Sequence, residues 1–155
     1  MFKIVHDRVN DSKLWLVGKG PLEQELRAQV HALGLDDAVD FTGTTDRVNE
    51  FLMAMDVFAF PSLFEGFGIA LVEAQASGLP CVVSSAIQDE AIISDRVQRL
   101  EINPPQIQAT IWADAILQAT KIKADREIYS HLTAEAGFDI QRAANMLQDF
   151  YFSLV

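Results

Sequence analysis

Two carboxylates, Glu65 and Glu73, bracket the run Gly66-Phe67-Gly68-Ile69-Ala70-Leu71-Val72. The apolar run Val57-Phe58-Ala59-Phe60 before it predicts a buried strand, and the residues after it have helical spacing to about Ala76. A strand, a glycine-containing turn and a helix N-terminus form an anion site. Free backbone N–H groups and the helix dipole both point at the turn. Glu65 in the turn and Glu73 in the helix add acceptors suited to hydroxyl groups. Phosphate at the turn with hydroxyls beside it describes a nucleotide sugar. Two carboxylates also suit glycoside hydrolysis, but a glycine turn fits a phosphate better than an attacking water. The bland alternative is two solvated charges. The apolar run Ile69 to Val72 and the aromatic Phe67 make simple exposure of Glu73 less natural.

The elements that must position this block alternate strand and helix. Leu14-Trp15-Leu16-Val17 is an apolar run ended by Gly18-Lys19-Gly20-Pro21. A helix follows to about Leu33, with Pro21 in its first turn and Gly34 at its C-cap. Val39-Asp40-Phe41 is a short strand closed by Thr42-Gly43-Thr44-Thr45. Asp46 to Met55 carries Val48, Phe51, Leu52 and Met55 on one helical face, with Thr44 or Thr45 as cap. Gly78-Leu79-Pro80 stops the central helix, Cys81-Val82-Val83 is the next strand, and Arg99-Leu100-Glu101-Ile102 is a last, weaker one. The remainder reads as helical. Ile107, Ile111, Ala115, Ile116 and Ala119 form one packing stripe, and Ile140, Ala143, Ala144, Leu147, Tyr151 and Leu154 another.

This alternation predicts an α/β fold, a Rossmann-like, doubly wound parallel sheet with helices on both faces. Ligands of such sheets bind at the carboxyl ends of the strands. The loops at Gly18-Lys19-Gly20, Gly43-Thr44-Thr45 and Glu65 to Gly68 all follow strands, so they are expected to converge on one edge. Phe2, Val5 and Val9 have helical spacing at the very start, where a doubly wound domain would first place a strand. The expectation is therefore a fragment that begins part-way through a larger protein.

Composition narrows the partners. Half of the 155 residues are hydrophobic, 22% are charged and the net charge is −10. A single domain of this size can bury a sizeable core. The negative charge argues against wrapping nucleic acid or docking alone on anionic lipid. No apolar run approaches the ~20 residues of a membrane span, and no signal-peptide pattern is present. The single Cys81 excludes an internal disulfide and reads as a small core residue, consistent with a cytoplasmic setting. His6, His31 and His131 stand apart, without metal-ligand spacing, so no metal is expected. Trp15 and Trp112 are expected in the core, and Lys19 is a turn lysine facing solvent. Gly18-Lys19-Gly20-Pro21-Leu22-Glu23 approaches a dinucleotide fingerprint but has Glu23 where the third glycine belongs, which disfavours a nicotinamide cofactor. It remains either a plain strand-to-helix turn or a loop lining a nucleotide pocket.

Taken in order, Leu16 to Pro21, Val39 to Gly43, Ala54 to Ser62, Glu65 to Ala74 and Gly78 to Ser84 resemble a known arrangement. The chain is similar to the C-terminal, donor-binding half of retaining glycosyltransferases of GT-B family 4, the group 1 transferases. The E-x7-E block is the specific part, and the match runs over about residues 1–120. Asp89 to Asp95 resembles, less specifically, the branch found in capsular and exopolysaccharide biosynthesis.

The resemblance implies roles. Glu73 would hold the ribose hydroxyls of the donor, and Glu65 would lie at the transferred sugar as the catalytic residue. Backbone N–H groups of Phe67, Gly68 and Ile69 would hold the diphosphate. Gly18 and Gly20 would line the nucleotide pocket, and Thr44 would lie near the base. The substrate would be a nucleotide-diphosphate sugar such as a UDP-sugar, with no cofactor or metal. The donor's own phosphate would assist the reaction on one face, so Glu65 need not be a nucleophile. The acceptor, a glycan or a lipid-linked glycan, would be bound by an N-terminal domain outside these residues.

The Arg and Lys that neutralise the diphosphate in this family usually precede this segment. The loop Ser84 to Asp89 lacks the glycines common elsewhere in the family. The expectation is a chain inactive alone and cytoplasmic, working at the inner membrane face when complete. Its final helix would cross to the partner domain, leaving Phe150, Tyr151 and Phe152 exposed here and prone to self-association. A non-catalytic nucleotide-binding or interaction module, or half of a sugar-nucleotide epimerase, are the alternatives.

Overall fold

The computed structural model describes residues 1–102, 108–122 and 125–154. Along the chain run α1 (Phe2–Arg8), β1 (Leu14–Val17), α2 (Glu23–Ala32), β2 (Val39–Gly43), α3 (Val48–Ala54), β3 (Phe58–Phe60), α4 (Ile69–Ala76), β4 (Cys81–Ser84), β5 (Val97–Leu100), α5 (Ala109–Ala119), α6 (Glu127–Thr133) and α7 (Ile140–Phe152). Every strand pairing is parallel, and helices cover both faces, as the alternation predicts. The expected single sheet is divided, however, into β1–β2 and β3–β4–β5. β3 is only three residues long, so it offers few ladder hydrogen bonds to a further neighbour.

β4 shows why the fold holds. All four of its residues are buried, as expected of a strand covered on both sides. Side chains alternate faces along a strand. Cys81 and Val83 therefore pack with Leu52, Leu71, Ala74 and Leu79 from the α3–α4 layer. Val82 between them packs with Val5, Trp112, Ala113 and Ile116 from α1 and α5. Each such fully buried aliphatic side chain contributes about 1.5–3 kcal/mol of transfer free energy.

Two helices end in the same way. At α2, Gly34 at φ 65° donates to His31 O at 3.0 Å, and Leu35 N–H reaches Val30 O at 3.0 Å. At α4, Gly78 at φ 68° donates to Gln75 O at 2.9 Å, and Leu79 N–H reaches Ala74 O at 3.1 Å. Both are Schellman caps, in which the left-handed residue is glycine because a Cβ would be strained there. The end of α3 is closed from far along the chain. The Arg126 guanidinium donates to the carbonyls of Met53 at 3.0 Å and Met55 at 2.6 Å.

Several boundaries differ from the sequence reading. α2 starts at Glu23, and Pro21 lies in the turn before it. α3 starts two residues late because the Thr45 hydroxyl accepts the Arg47 N–H at 3.0 Å, which closes a local turn instead of capping the helix. β5 lies two residues earlier than expected, since Val97 pairs with Cys81. The α5 stripe is rotated: Trp112 is fully buried while Ile111 is 48% exposed, because the indole fills the space beside Val82. Ile107 lies outside the described residues. Trp112 and Cys81 are core as expected. Trp15 is only half-buried, its ring edge on Phe51 at 5.3 Å and its indole N–H donated to Asp40 at 3.2 Å. Ile140, Ala143, Ala144, Leu147, Tyr151 and Leu154 are all exposed, so that stripe has no packing partner among the described residues.

Candidate functional site

The loop between β3 and α4 is tied down at its base. Ser84, buried at the end of β4, donates its hydroxyl to Ser62 O at 2.5 Å, and Ser62 donates to Phe64 O at 2.8 Å. Beyond this anchor the loop opens outward, and Phe64 is 92% exposed. The chain then returns through Gly66 and Phe67 to Gly68, the N-cap of α4, at φ 83°. Here the left-handed conformation calls for glycine, while Glu65 Cγ, Ile87 and Phe60 lie 3.5–3.9 Å from where a Cβ would stand, at ordinary contact distance.

Hydrogen bonding within α4 begins at Leu71, whose N–H reaches Gly68 O at 2.9 Å. The amides of Ile69 and Ala70 precede that first bond and have no intrahelical acceptor. Glu65 is half-buried and folds back on the turn, its carboxylate accepting the Gly66 N–H at 3.2 Å. Glu73 is exposed on α4, one turn after Ile69 and on the same helix face. Helical side chains lean towards the N-terminus, so Glu73 is aimed back over the Gly68–Ile69 turn. Its carboxylate has no hydrogen-bond or ion-pair partner among the described residues. One carboxylate is thus engaged with the turn and the other stands free beside it.

A second set forms at the ends of β1 and β2. Gly18, at φ 125°, donates its N–H to Gly43 O at 2.8 Å, so the two loops are joined. The Lys19 side chain lies over Gly43, with Cε 3.5 Å from where a Cβ would stand. Gly20 has open space around it, and Thr44 is exposed. Gly18 and Thr44 are therefore brought together, as are Glu65, Phe67, Gly68 and Ile69. No hydrogen bond joins the two groups among the described residues. Near Thr44, Arg47 and Glu50 pair, which raises the Arg47 pKa and lowers that of Glu50 through their mutual hydrogen bond.

Three supporting residues escape sequence reading. Ser84 and Arg99 hold the loops on the strand ends, Arg99 by donating to Ile87 O at 2.6 Å and to Asp89 at 2.5 Å. Gln75 is buried inside α4. It donates to Ala91 O at 2.7 Å and accepts the N–H groups of Ile93 at 2.8 Å and Ser94 at 2.9 Å. Polar residues after a strand or within a helix carry no sign of such partners. A glutamine in the midst of Leu71, Val72 and Ala74 is the one faint signal.

His6 bonds Ser12 and His31 bonds Asp36, each a local contact. Among the described residues no three His, Cys, Asp or Glu side chains are grouped to hold a metal ion. No helix among them is long and apolar enough to cross a membrane.

Comparison with known proteins adds to this geometry. The family model described as glycosyl transferases group 1 matches residues 1–121. A putative glycosyltransferase, EpsF of Bacillus subtilis (strain 168), is 36% identical over 141 residues, 90% of this chain and 36% of that protein. The UDP-Gal:alpha-D-GlcNAc-diphosphoundecaprenol alpha-1,3-galactosyltransferase of Escherichia coli is 27% identical over 155 residues, 98% of this chain and 40% of the relative. The chain thus spans well under half the length of these relatives. Among solved structures, Anabaena HepE in complex with UDP and glucose matches at a TM-score of 0.62 and 27% identity, covering 94% of this chain and 44% of that one. The pneumococcal O-GlcNAc transferase GtfA, in complex with UDP and GlcNAc, matches at 0.76 and 18% identity, covering 96% and 30%, and shows the shared fold.

Proposed function

Since the chain belongs to the group 1 glycosyl transferases, we propose that it forms the donor-binding part of an enzyme that moves a sugar from a nucleotide-diphosphate sugar to a glycan or lipid-linked acceptor, with retention at the anomeric carbon. The observation that carries this reading is the α4 N-terminus, where open amides at Gly68–Ile69 lie between an engaged Glu65 and a free Glu73.

In this reading the diphosphate sits on the amides of Phe67, Gly68 and Ile69, where the helix dipole favours negative charge. Glu73 accepts hydrogen bonds from the ribose hydroxyls. Its distance of one helical turn, about 6 Å along the axis, suits the separation of a ribose from the phosphates it carries. Glu65 leaves the Gly66 N–H to meet the transferred sugar, so its self-contact is replaced when a donor arrives. Gly18, Gly20 and Thr44 line the nucleoside side, and the open space at Gly20 leaves room for it. During transfer the bond from the anomeric carbon to the diphosphate oxygen breaks and a glycosidic bond to the acceptor oxygen forms. The acceptor proton passes to the departing phosphate, as the family resemblance implies, so this chain need supply no base. Acceptor binding and neutralisation of the diphosphate fall to residues outside the chain, and the 155 residues alone bind a nucleotide without transferring sugar. A uridine nucleotide is the first choice, because UDP occupies the related HepE.

The test is calorimetric titration of UDP, GDP and ADP into the wild-type chain and Glu73→Ala. One nucleotide binds the wild type, and the substitution weakens that binding about 10- to 100-fold, the range for a hydrogen bond to a charged group. Because Glu73 is exposed, the melting temperature stays within about 2 °C. Equal binding by the variant, or no binding by the wild type, would overturn the proposal.

A further inference from the structure

The turn that carries the proposed phosphate donors leans on a distant part of the chain. The Phe67 ring lies 5.8 Å from that of Phe138, tilted by 39°. This spacing falls within the range in which aromatic pairs attract beyond their simple burial. Phe138 closes the single π-type turn Ala134–Phe138 that joins α6 to α7, directly after Gly137 at φ 102°. That elbow is fixed on both sides. On one, Tyr129 of α6 is buried under the Arg96 guanidinium, 4.0 Å from its ring centre. On the other, Asp139 caps α7 by accepting the Arg142 N–H at 2.9 Å. Phe67 is 36% and Phe138 42% exposed, so the two rings meet at the surface.

Resting on the donor-site reading above, we infer that Phe138 is a positioning residue that holds the Phe67–Ile69 turn in its anion-binding form, which makes the α6–α7 elbow part of the donor site. Phe138 acts through Phe67 and does not itself touch the nucleotide. The Phe67 backbone supplies one of the proposed donors, and the next residue is a glycine with wide conformational freedom. With its ring held, Phe67 presents the amides in one arrangement. Released, the turn samples several, and only a fraction of molecules is competent to bind. Affinity falls by that fraction.

The experiment is calorimetric titration of UDP into the 155-residue chain carrying Phe138→Ala, Phe138→Leu, Phe138→Tyr, Gly137→Ala or Phe150→Ser. Phe138→Ala weakens UDP binding about two- to tenfold, the reach of one aromatic pair. Phe138→Leu, which keeps bulk without the ring, weakens it in the same direction, and Phe138→Tyr restores wild-type affinity. A Cβ at Gly137 meets nothing within 4 Å, so Gly137→Ala acts through its backbone angle alone and weakens binding by displacing Phe138. Phe150→Ser, on the exposed arm, binds as the wild type does. Rescue by tyrosine separates positioning from general destabilisation, and Phe138→Leu serves if the alanine variant is too unstable to titrate. If the wild type binds UDP, Glu73→Ala weakens it, and Phe138→Ala and Phe138→Leu bind as tightly as wild type, the inference falls and the donor site stands. If the wild type binds no nucleotide, the donor-site reading falls first and the inference with it.

Discussion

α4 and α7 contrast in pattern and in fate. α4 has little sidedness: Ile69, Ala70, Leu71, Val72 and Ala74 run almost without interruption, and Leu71, Val72, Ala74 and Gln75 are buried. α7 has a clear apolar stripe along 13 residues and buries none of them. A periodic pattern states which face of a helix can be covered. Whether anything covers it depends on what the topology brings there. α4 follows β3 in a crossover that must lie on the sheet, while α7 follows an elbow and lies beyond residue 121, where the family match ends.

The contrast can be broken or sharpened by substitution. Leu71→Ala should cost about 2–5 kcal/mol of unfolding free energy in urea titration, as expected of a fully buried leucine. Leu147→Ala, an apolar position on the α7 stripe, should stay within about 0.5 kcal/mol. Equal losses would mean that α7 is covered in solution, and sedimentation would then show a dimer. Gln75→Leu keeps the helix apolar yet should cost about 1–3 kcal/mol, because the Ile93 and Ser94 amides lose their acceptor in a buried place.

An effect seen only at high pH concerns Cys81. Burial pushes its thiol from 9.0 up to about 12. The folded state therefore keeps the proton longer than the unfolded state does. Stability from this group is complete below pH 9 and is lost as pH rises through 9 towards 12. At pH 10 the loss is about 1.4 kcal/mol, measured as a steeper fall in stability for wild type than for Cys81→Ala.

The legible parts of this molecule were those with one physical solution. β1 and β4 are apolar runs of strand length between glycine-bearing turns, and Gly34 and Gly78 stand where only a left-handed cap fits. The Glu65-to-Glu73 block announced its turn and helix because glycine spacing and an apolar run meet there. The failures arose where two solutions competed. Either Ile111 or Trp112 could head the α5 stripe, and periodicity is silent on which; indole volume settled it. β5 slid by two residues because period-2 patterning is unchanged by such a shift, and only pairing with Cys81 fixes the register. Thr45 could cap a helix or close a turn with its own neighbours, and the local turn won. The Phe67–Phe138 contact joins residues far apart in sequence, so no local pattern could announce it.

Arg126 carries a consequence for the order in which the chain is made. Its guanidinium satisfies carbonyls at the end of α3, and its backbone lies 2.8 Å from where a Gly78 side chain would begin. A nascent chain that has reached β4 already contains α3, α4 and the strands they cover. Until residue 126 leaves the ribosome, the α3 carbonyls must be solvated by water, and the hollow above Gly78 has nothing in it. The first half can collapse early, but it can close only when a residue more than 70 positions downstream arrives. Synthesis stalled before that point would leave a chain with its strands laid down and the end of α3 unsealed.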